Sequence, residues 1–450
     1  MRLPQAPPDW TESLRSASDA SRLLHILRLK EAEPAGAYLH WDQLRRRTPP
    51  DDLTAEEWWL VVSLARAPLL KEIALETTDG RRFQFSMTES AQRLAHEIDR
   101  DASGVLGVPD AIANKATQKQ YLVRSLIEEA LTSSQLEGAA ATRAQAKQMI
   151  QEGRKPRNRS ERMVLNNYFA MELIRERKSE PLTPGLLLDL HRTIATDTLD
   201  DPGQIGRLRD DADIVRVVSD DDTILHVPPP AAELPGRIER MCELANGGGN
   251  GFIHPVVRAV LLHFWLAYDH PFCDGNGRTA RALFYWSMLQ QGYWLTEYVS
   301  ISRVLKQAPA RYAMAFLYSE TPPYDATYFV LHQLEVIKKS IADLHAYLTQ
   351  KAVEVREVES ILRHRAGFNH RQIALLGHAL RNPGEVYTMA THKTSHRVSH
   401  ETARQDLYAL EAAGLLISRK RGREYEFVAV PNLAKVLQQA PATNPSDPPR

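Results

Sequence analysis

Twelve consecutive residues near the middle of the chain combine a histidine, an aspartate, two glycines and two arginines in one short stretch. In order, they are His270, Pro271, Phe272, Cys273, Asp274, Gly275, Asn276, Gly277, Arg278, Thr279, Ala280 and Arg281. The turn-forming residues 274–277 follow an apolar segment and precede a helical pattern that runs from 278 to 291. A glycine-bounded loop that enters a helix presents backbone N–H groups and the positive end of the helix dipole. This arrangement predicts an anion site, for which phosphate is the natural ligand.

The charged side chains around this loop are suited to a polyphosphate and its metal ion. Arg278 and Arg281 are three positions apart, so they project from nearly the same face of the helix, and their guanidinium groups can bind a phosphate chain. Asp274 stands at the mouth of the loop as a ligand for Mg²⁺, which typically uses one carboxylate together with phosphate oxygens. His270 precedes it, and the usual histidine pKa of about 6.5 suits a base that takes a hydroxyl proton.

The whole pattern, HPFxDGNGRxxR, resembles the signature of Fic proteins, and this chain matches all nine specified positions. The similarity extends over roughly residues 115–300. The resemblance implies an adenylyltransferase that moves AMP from ATP onto a Ser, Thr or Tyr hydroxyl of a target protein. It implies that His270 is the general base and that Asp274 holds Mg²⁺. No motif position is altered, which favours an active domain over a degenerate one.

The resemblance also assigns the phosphates to particular groups. The amides around Gly275, Asn276 and Gly277 would cradle them, Arg278 would steady the β-phosphate, and Arg281 would meet the γ-phosphate. Pyrophosphate would leave. Catalysis would then consist of positioning and charge neutralisation, as in other transfers to phosphorus.

A second motif lies N-terminal to the first, at the end of a helical pattern that covers about 119–138. Taken alone, Glu137 is a solvated carboxylate placed unfavourably for the helix dipole. However, Ser133, Glu137 and Gly138 match the inhibitory motif of Fic proteins, [S/T]xxxE[G/N]. This resemblance implies that Glu137 pairs with Arg281 and occupies the γ-phosphate site, while Ser133 orients one of the two. The unmodified protein should then be weakly active.

Two β-prone runs, 214–218 and 223–227, are separated by a Ser-Asp-Asp-Asp turn and predict a β-hairpin. The hairpin resembles the flap with which Fic enzymes hold a target segment as an added strand. An ordinary surface hairpin is the alternative.

The C-terminal region predicts three helices followed by a two-stranded ribbon, which is a winged-helix pattern. The third helix covers 399–413, and the ribbon turns at 419–423. Candidate DNA-contacting residues are Ser399, Thr402, Arg404, Arg419, Lys420 and Arg421, with Arg423 also in the wing. Many winged helices bind proteins or serve as dimer contacts instead, so DNA and a homodimer both remain open.

Composition limits the partners and the compartment. Lys plus Arg and Asp plus Glu number 56 each, so the chain of 450 residues has no general attraction for nucleic acid or an anionic membrane. Only two cysteines occur, Cys242 and Cys273, without a CxxC spacing, which favours the cytoplasm. The most apolar run, 259–268, is too short to span a bilayer and predicts a buried helix.

These patterns predict a mainly α protein with a Fic-type helical core. The predicted parts are a small mixed N-terminal domain (1–105), a Fic domain with a hairpin flap and an inhibitory helix (106–335), a linker helix (336–365), a winged-helix domain (366–432) and a disordered tail (433–450). Two other functions remain open at this point. One is removal of AMP from a modified protein by the same site, and the other is a transcriptional regulator whose core only senses a nucleotide.

Overall fold

The structure is a computed structural model that describes residues 2–16, 20–29, 31–102, 115–219, 221–249, 251–364, 367–421 and 424–439. Contacts group these residues into two compact units. The first contains the described residues up to 106 together with Ser125–Ile341, and the second contains those of 107–124 and 342–450. Helices predominate in the described chain, which confirms the prediction of a mainly α fold.

The chain begins with short helices and a β-hairpin and continues with longer helices that flank a second hairpin. The early elements are α1 (Trp10–Ser16), α2 (Ala20–Arg28), α3 (Trp41–Leu44), α4 (Ala55–Arg66), β1 (Lys71–Glu76), β2 (Arg82–Phe85) and α5 (Glu89–Ala102). The following elements are α6 (Lys115–Leu136), α7 (Arg143–Glu152), α8 (Arg159–Glu176), α9 (Pro184–Ala195), β3 (Val217–Val218), β4 (Ile224–His226), α10 (Leu234–Ala245), α11 (Pro255–Asp269), α12 (Asn276–Gln290), α13 (Ile301–Gln307), α14 (Pro309–Ser319) and α15 (Thr327–His364).

Helices α11 and α12 form the apolar centre of the first unit and flank the loop that precedes α12. α11 starts at Pro255, whose fixed φ suits the first helical position. Most of its side chains are buried, which confirms the buried helix predicted at 259–268. All side chains of 278–289 in α12 are buried as well. α8 and α9 pack against α12, and α10 packs against α11, so the loop between the two central helices has a rigid surround.

The sequence predicts a separate N-terminal domain, whereas contacts group the first hundred residues with the central helices in one compact unit. Phe83 of β2 is fully buried, and its ring lies 5.2 Å from that of Phe264 and 4.9 Å from that of Tyr268, both on α11. Arg66 Nη1 donates to Tyr328 Oη of α15 at 3.0 Å. Such contacts join residues far apart in sequence, so a local pattern could not indicate them.

The predicted β-hairpin is present, but it is shorter than the two β-prone runs. β3 and β4 pair antiparallel, and Val217 is the Cα partner of His226. The register shifts between Val217 and Val218, so the ladder extends over only a few residues. The hairpin precedes α10 and lies in the first unit.

The second unit contains short helices and a three-stranded antiparallel sheet. Its elements are α16 (His370–Arg381), β5 (Val386–Thr388), α17 (Met389–His396), α18 (His400–Ala412), β6 (Leu416–Arg421), β7 (Glu424–Ala429) and α19 (Leu433–Gln439), with strand order β5-β7-β6. The sheet contains one strand, β5, that the sequence did not predict. The helices and the sheet enclose an apolar core that includes Leu376, Leu407, Leu410 and Phe427.

Two predicted boundaries need correction. The tail predicted to be disordered from 433 forms α19, because Leu433 and Leu437 are buried in the core of the second unit. Residues 440–450 lie outside the described residues. The predicted linker helix starts earlier than 336, since α15 runs without interruption from Thr327 to His364. Among the described helices, none is long and apolar enough to cross a membrane.

The packing of β2 against α11 predicts that Phe83→Ala destabilises the central helices. Loss of a buried phenylalanine should lower the free energy of unfolding by about 3–5 kcal/mol. Leu69→Ala, at a side chain that is 44% exposed, is the control and should change it by less than about 0.5 kcal/mol. Hydrogen exchange of α11 peptides in increasing urea measures both. Unchanged protection of α11 in Phe83→Ala would restore the idea of an independent N-terminal domain.

Candidate active site

The loop between α11 and α12 is held in a tight, specific conformation. His270 ends α11 with φ +46° and Gly275 precedes α12 with φ +86°, both in the left-handed region. The side chain of Asn276 closes the loop, since its Oδ1 accepts from the Phe272 amide at 2.9 Å and its Nδ2 donates to the Phe272 carbonyl at 2.7 Å. Phe272 is buried and stacks on the ring of His191 at 3.7 Å. The side chain of Asn276 therefore stabilises the closed loop by hydrogen bonds to the Phe272 backbone, a role that the motif did not indicate.

His191 fixes the loop from the side of α9. Its Nε2 lies 3.0 Å from the Asp274 carbonyl, and its Nδ1 accepts from the Gly206 amide at 3.1 Å. These partners require the neutral tautomer with the proton on Nε2. Burial lowers the pKa of His191 to about 4, which agrees with a neutral ring.

His270 has the geometry of a base. Its Nδ1 lies 3.2 Å from the Ala267 carbonyl, which can only accept, so Nδ1 carries a proton and the lone pair belongs to Nε2. Burial lowers the pKa of His270 to about 4, and this outweighs the opposite effect of the Ala267 carbonyl. The ring is therefore neutral at pH 7 and can accept a proton.

Arg209 ties this loop to the segment that follows the hairpin, and sequence reasoning missed it. Its Nε donates to the His270 carbonyl at 2.9 Å, and its Nη2 donates to the Pro229 carbonyl at 2.5 Å. Its own amide donates to the Pro271 carbonyl at 2.9 Å. The local sequence around Arg209 contains no signal for this role, because all three partners are distant along the chain.

His226, on β4, anchors the hairpin to α11 and was also missed. Its Nδ1 lies 2.7 Å from Glu320 Oε2, and its Nε2 lies 2.7 Å from the Tyr268 carbonyl. Burial alone lowers the pKa of His226, but the bonds to Glu320 and Tyr268 outweigh it, so the pKa is raised. Both partners are acceptors, so the complete arrangement requires the protonated ring.

Arg278 is a buried cation with free donors. Its side chain is fully buried, and its Nη1 donates to the Ile194 carbonyl at 3.4 Å. Its Nε and Nη2 have no hydrogen-bond partner among the described residues, although Nη2 lies 3.7 Å from Asp274 Oδ1. Unsatisfied donors on a buried charge are costly. An anion at the start of α12 would satisfy them.

Asp274 offers a carboxylate at the edge of this anion site. Its side chain is 42% exposed, its Oδ1 accepts from the Gly275 amide at 2.5 Å, and its Oδ2 lies 3.4 Å from Arg159 Nη2. No group of three or more His, Cys, Asp or Glu side chains able to hold a metal occurs in the described part of the chain. A divalent cation at Asp274 would complete its coordination with phosphate oxygens and water, which fits Mg²⁺ that arrives with a triphosphate.

Glu137 occupies the space in front of α12. Arg281 Nη2 donates to Glu137 Oε1 at 2.7 Å, while Arg281 Nε donates to Ser133 Oγ at 2.9 Å. A Cβ atom at Gly277 would overlap Glu137 Oε1, so the carboxylate lies directly on the first turn of the helix. Gly138, with φ +84°, follows the end of α6 in the left-handed conformation. The structure thus brings together the residues of the two sequence motifs.

The candidate DNA-contacting residues on α18 are engaged in local contacts. Ser399 caps the helix, and its Oγ accepts from the Thr402 amide at 3.1 Å and lies 2.9 Å from Thr402 Oγ1. Arg404 pairs with Glu401 at 2.9 Å. These contacts stabilise the start of the helix.

One candidate wing residue is also engaged in a local ion pair. Arg419 pairs across the sheet with Glu426 at 2.8 Å. Lys420 and Arg421 lie on β6, and Arg423 lies outside the described residues. The Arg419 charge is therefore compensated within the ribbon.

Comparison with known proteins gives a family for the region that holds this loop. Residues 181–288 match the model of the Fic/DOC family. A protein adenylyltransferase Fic from Nematostella vectensis is 26% identical over 210 residues, which are 45% of this chain and 46% of that protein. One from Drosophila yakuba is 25% identical over 306 residues, which are 62% of this chain and 56% of that protein. The chain spans about half the length of the curated relatives it matches.

A solved structure shows the same fold. The crystal structure of a Fic family protein from Desulfovibrio desulfuricans G20 superimposes with a TM-score of 0.50 at 19% identity. The match covers 77% of this chain and 97% of that chain. The region built around α11 and α12 thus matches the Fic/DOC family model in sequence and a Fic family protein in fold.

Proposed function

We propose that this protein is a self-restrained protein adenylyltransferase that transfers AMP from ATP to a Ser, Thr or Tyr hydroxyl of a target protein. The observation that carries the proposal is the fully buried Arg278, whose unsatisfied donors lie beside Gly275 in a loop that also holds a neutral His270. The names of the curated relatives supply the direction of the chemistry, since both are protein adenylyltransferases.

The proposed transfer of AMP uses one base, two arginines and one carboxylate of this chain. His270 Nε2 takes the proton of the target hydroxyl, whose oxygen forms a bond to the α-phosphorus of ATP. The bond from that phosphorus to the bridging oxygen breaks, and pyrophosphate leaves. Arg278 neutralises charge on the β-phosphate and Arg281 on the γ-phosphate. Mg²⁺ held by Asp274 would offset further negative charge on the phosphates.

The low pKa of His270 is compatible with this role. Transition states of phosphoryl transfer are loose, so the attacking hydroxyl loses its proton late and little basicity is needed early. The negative charge of a bound triphosphate would also raise the pKa of a nearby imidazole. The tautomer fixed by Ala267 presents Nε2 as the accepting atom in either case.

Restraint follows from the position of Glu137. Its carboxylate pairs with the guanidinium that we assign to the γ-phosphate, and it lies on the helix turn that we assign to the phosphates. Two anionic groups cannot share this site without strong repulsion. ATP therefore has to displace Glu137 before it can bind productively.

The hairpin is proposed to hold the target segment as an added strand. Four apolar side chains in and beside it are exposed: Ile214, Val218, Ile224 and Val227. Main-chain pairing to a hairpin edge registers a peptide with little demand on its sequence. Anchored by His226 and by Arg209, the hairpin would present the acceptor hydroxyl to a loop of fixed position.

The second unit is proposed to be a winged-helix domain. Its order of helix, strand, two helices and a two-stranded ribbon supports this assignment. Arg404 and Arg419 already pair with glutamates, which weakens the case for DNA as its ligand. A protein partner or a second copy of this chain requires no free cations at these positions.

Glu137→Gly should raise self-adenylylation by about 5- to 150-fold, the usual range for removal of an allosteric restraint. The reason is that Arg281 becomes free for ATP. Incorporation of label from ATP into the purified protein measures the effect. Glu152→Gly, which removes an exposed carboxylate at the end of α7, should leave labelling unchanged. Equal labelling of Glu137→Gly and the unmodified protein would reject the restraint.

His270→Ala, made in the Glu137→Gly background, should lower the rate of transfer by about 10²-fold or more, the scale expected for loss of a general base. The same labelling assay, followed over time, gives the rate. His96→Ala on the exposed face of α5 serves as the control and should have no effect. A rate that His270→Ala does not reduce would show that another group accepts the proton.

Asp274→Asn in the Glu137→Gly background should raise the Mg²⁺ concentration needed for half-maximal transfer by about tenfold or more, since loss of even a group that supports a metal ligand costs about 10- to 100-fold in metal affinity. A titration of labelling rate against Mg²⁺ provides the measurement. Asp189→Asn on α9, where the carboxylate pairs with Arg177 and Arg192, is the matched control. Identical Mg²⁺ dependence in both variants would remove Asp274 from the metal site.

A further inference from the structure

Glu129 is a buried carboxylate on α6 that lies two helical turns before Glu137, the residue that directly follows the helix. Glu129 is 1% exposed, and its partner on α12 is Tyr285, one turn beyond Arg281. The two helices therefore meet at three levels, since Glu129 contacts Tyr285, Ser133 contacts Arg281, and Glu137 lies on the first turn of α12. The spacing of four residues on each helix keeps all three contacts on one face.

Among the described residues, the donors that the Glu129 carboxylate contacts all lie outside α6. Its Oε2 accepts from Tyr285 Oη at 2.9 Å, from Ser300 Oγ at 2.7 Å and from the Ser302 amide at 3.1 Å. Its Oε1 accepts from Ser302 Oγ. Burial, followed by the Glu129 charge, raises the pKa of Tyr285 well above its usual value, so this hydroxyl keeps its proton and can donate.

Further polar contacts continue along the same side of α6. Ser125 Oγ donates to the Tyr298 carbonyl at 2.6 Å, and Thr132 Oγ1 lies 3.2 Å from Ser300 Oγ. Apolar contacts between helices tolerate a small shift of one helix along the other, but a buried carboxylate loses its hydrogen-bond donors when its helix shifts. A slip of α6 by one residue would rotate it by about 100° and move it by about 1.5 Å. Glu129 would then be buried without its donors.

We propose that Glu129 is a positioning residue that fixes the register of α6 and thereby keeps the Glu137 carboxylate on the first turn of α12. The proposal rests on the restraint argued above. Glu129 makes no contact with the loop or the arginines that we assign to substrate, and it acts only through the helix that carries Ser133 and leads directly into Glu137. The ion pair between Glu137 and Arg281 would then be the last of a row of polar contacts between α6 and α12, and the Glu129 carboxylate would hold this row in place.

Loss of the contacts of Glu129 should have an effect on activity that differs from the effect of a general loss of stability. Glu129→Gln keeps the shape of the side chain but replaces two acceptor atoms by one acceptor and one donor, so its four donors can no longer all be satisfied. If Glu129 only supports the fold, this variant lowers transfer in every background. If Glu129 holds the restraint, the variant raises transfer in the otherwise unmodified protein and adds nothing once Glu137 is gone.

The experiment uses the full chain and labelled ATP. We expect Glu129→Gln to raise self-labelling by about tenfold, a typical coupling effect, and to leave the Glu137→Gly protein unchanged. Tyr285→Phe, which removes one donor from the partner helix, should raise labelling in the same direction but less. Glu128→Gln is the matched control, because this neighbouring carboxylate pairs with Arg143 instead. Labelling by Glu128→Gln should equal that of the unmodified protein.

A second readout separates this proposal from the proposed function. Hydrogen exchange of peptides covering 125–138 should be faster in Glu129→Gln than in Glu128→Gln, whether or not the protein transfers AMP. Unchanged exchange there overturns the role of Glu129. So does a loss or absence of activation in Glu129→Gln when Glu137→Gly is activated. Faster exchange together with no activation of Glu137→Gly would support the register role and reject the restraint itself.

Discussion

Two arginine side chains are buried within one turn of each other at the start of α12, and the surrounding structure has to compensate both charges. Arg278 is fully buried, and Arg281 is 2% exposed. Glu137 and Ser133 satisfy Arg281, whereas two donors of Arg278 have no partner in the described chain. An uncompensated buried charge costs several kcal/mol. The negative charge that these arginines require comes from Glu137 at Arg281, and we propose that a triphosphate supplies it during catalysis.

The remaining parts of the site depend on contacts that place a short loop in front of these cations. His270 is held in a left-handed conformation that a non-glycine residue seldom adopts, and such strain persists only where the surroundings determine it. Arg209 binds its carbonyl, and Asn276 closes the loop behind it. The contacts of the His270 carbonyl and Nδ1, together with burial of the ring, thus set the position, tautomer and protonation state of the imidazole. By the proposed mechanism, ATP displaces Glu137 only to the extent that its affinity for the open state exceeds its affinity for the Glu137-bound state.

The sequence predicted the parts of the site that are encoded locally. The spacing of Asp274, Arg278 and Arg281 indicated an anion site, and the motif around Glu137 indicated that Glu137 pairs with Arg281. Its pairing with Arg281 joins residues 144 positions apart, so it followed from family resemblance and not from the pattern itself. Arg209, His191, His226 and Glu129 carry no local signal, because what makes them important is a carbonyl or hydroxyl contributed by a distant element. The packing of the N-terminal segment on α11 was missed for the same reason.

In the proposed mechanism, this site moves the adenylyl group, and Glu137 competes with the phosphates for it. The most direct measurement is a parallel incubation of the Glu137→Gly protein with ATP labelled at the α-phosphate or at the γ-phosphate, followed by detection of label bound covalently to protein. We expect protein-bound label from the α-phosphate only, with the γ-label recovered in pyrophosphate. Protein-bound label from the γ-phosphate, or from neither position, would contradict it.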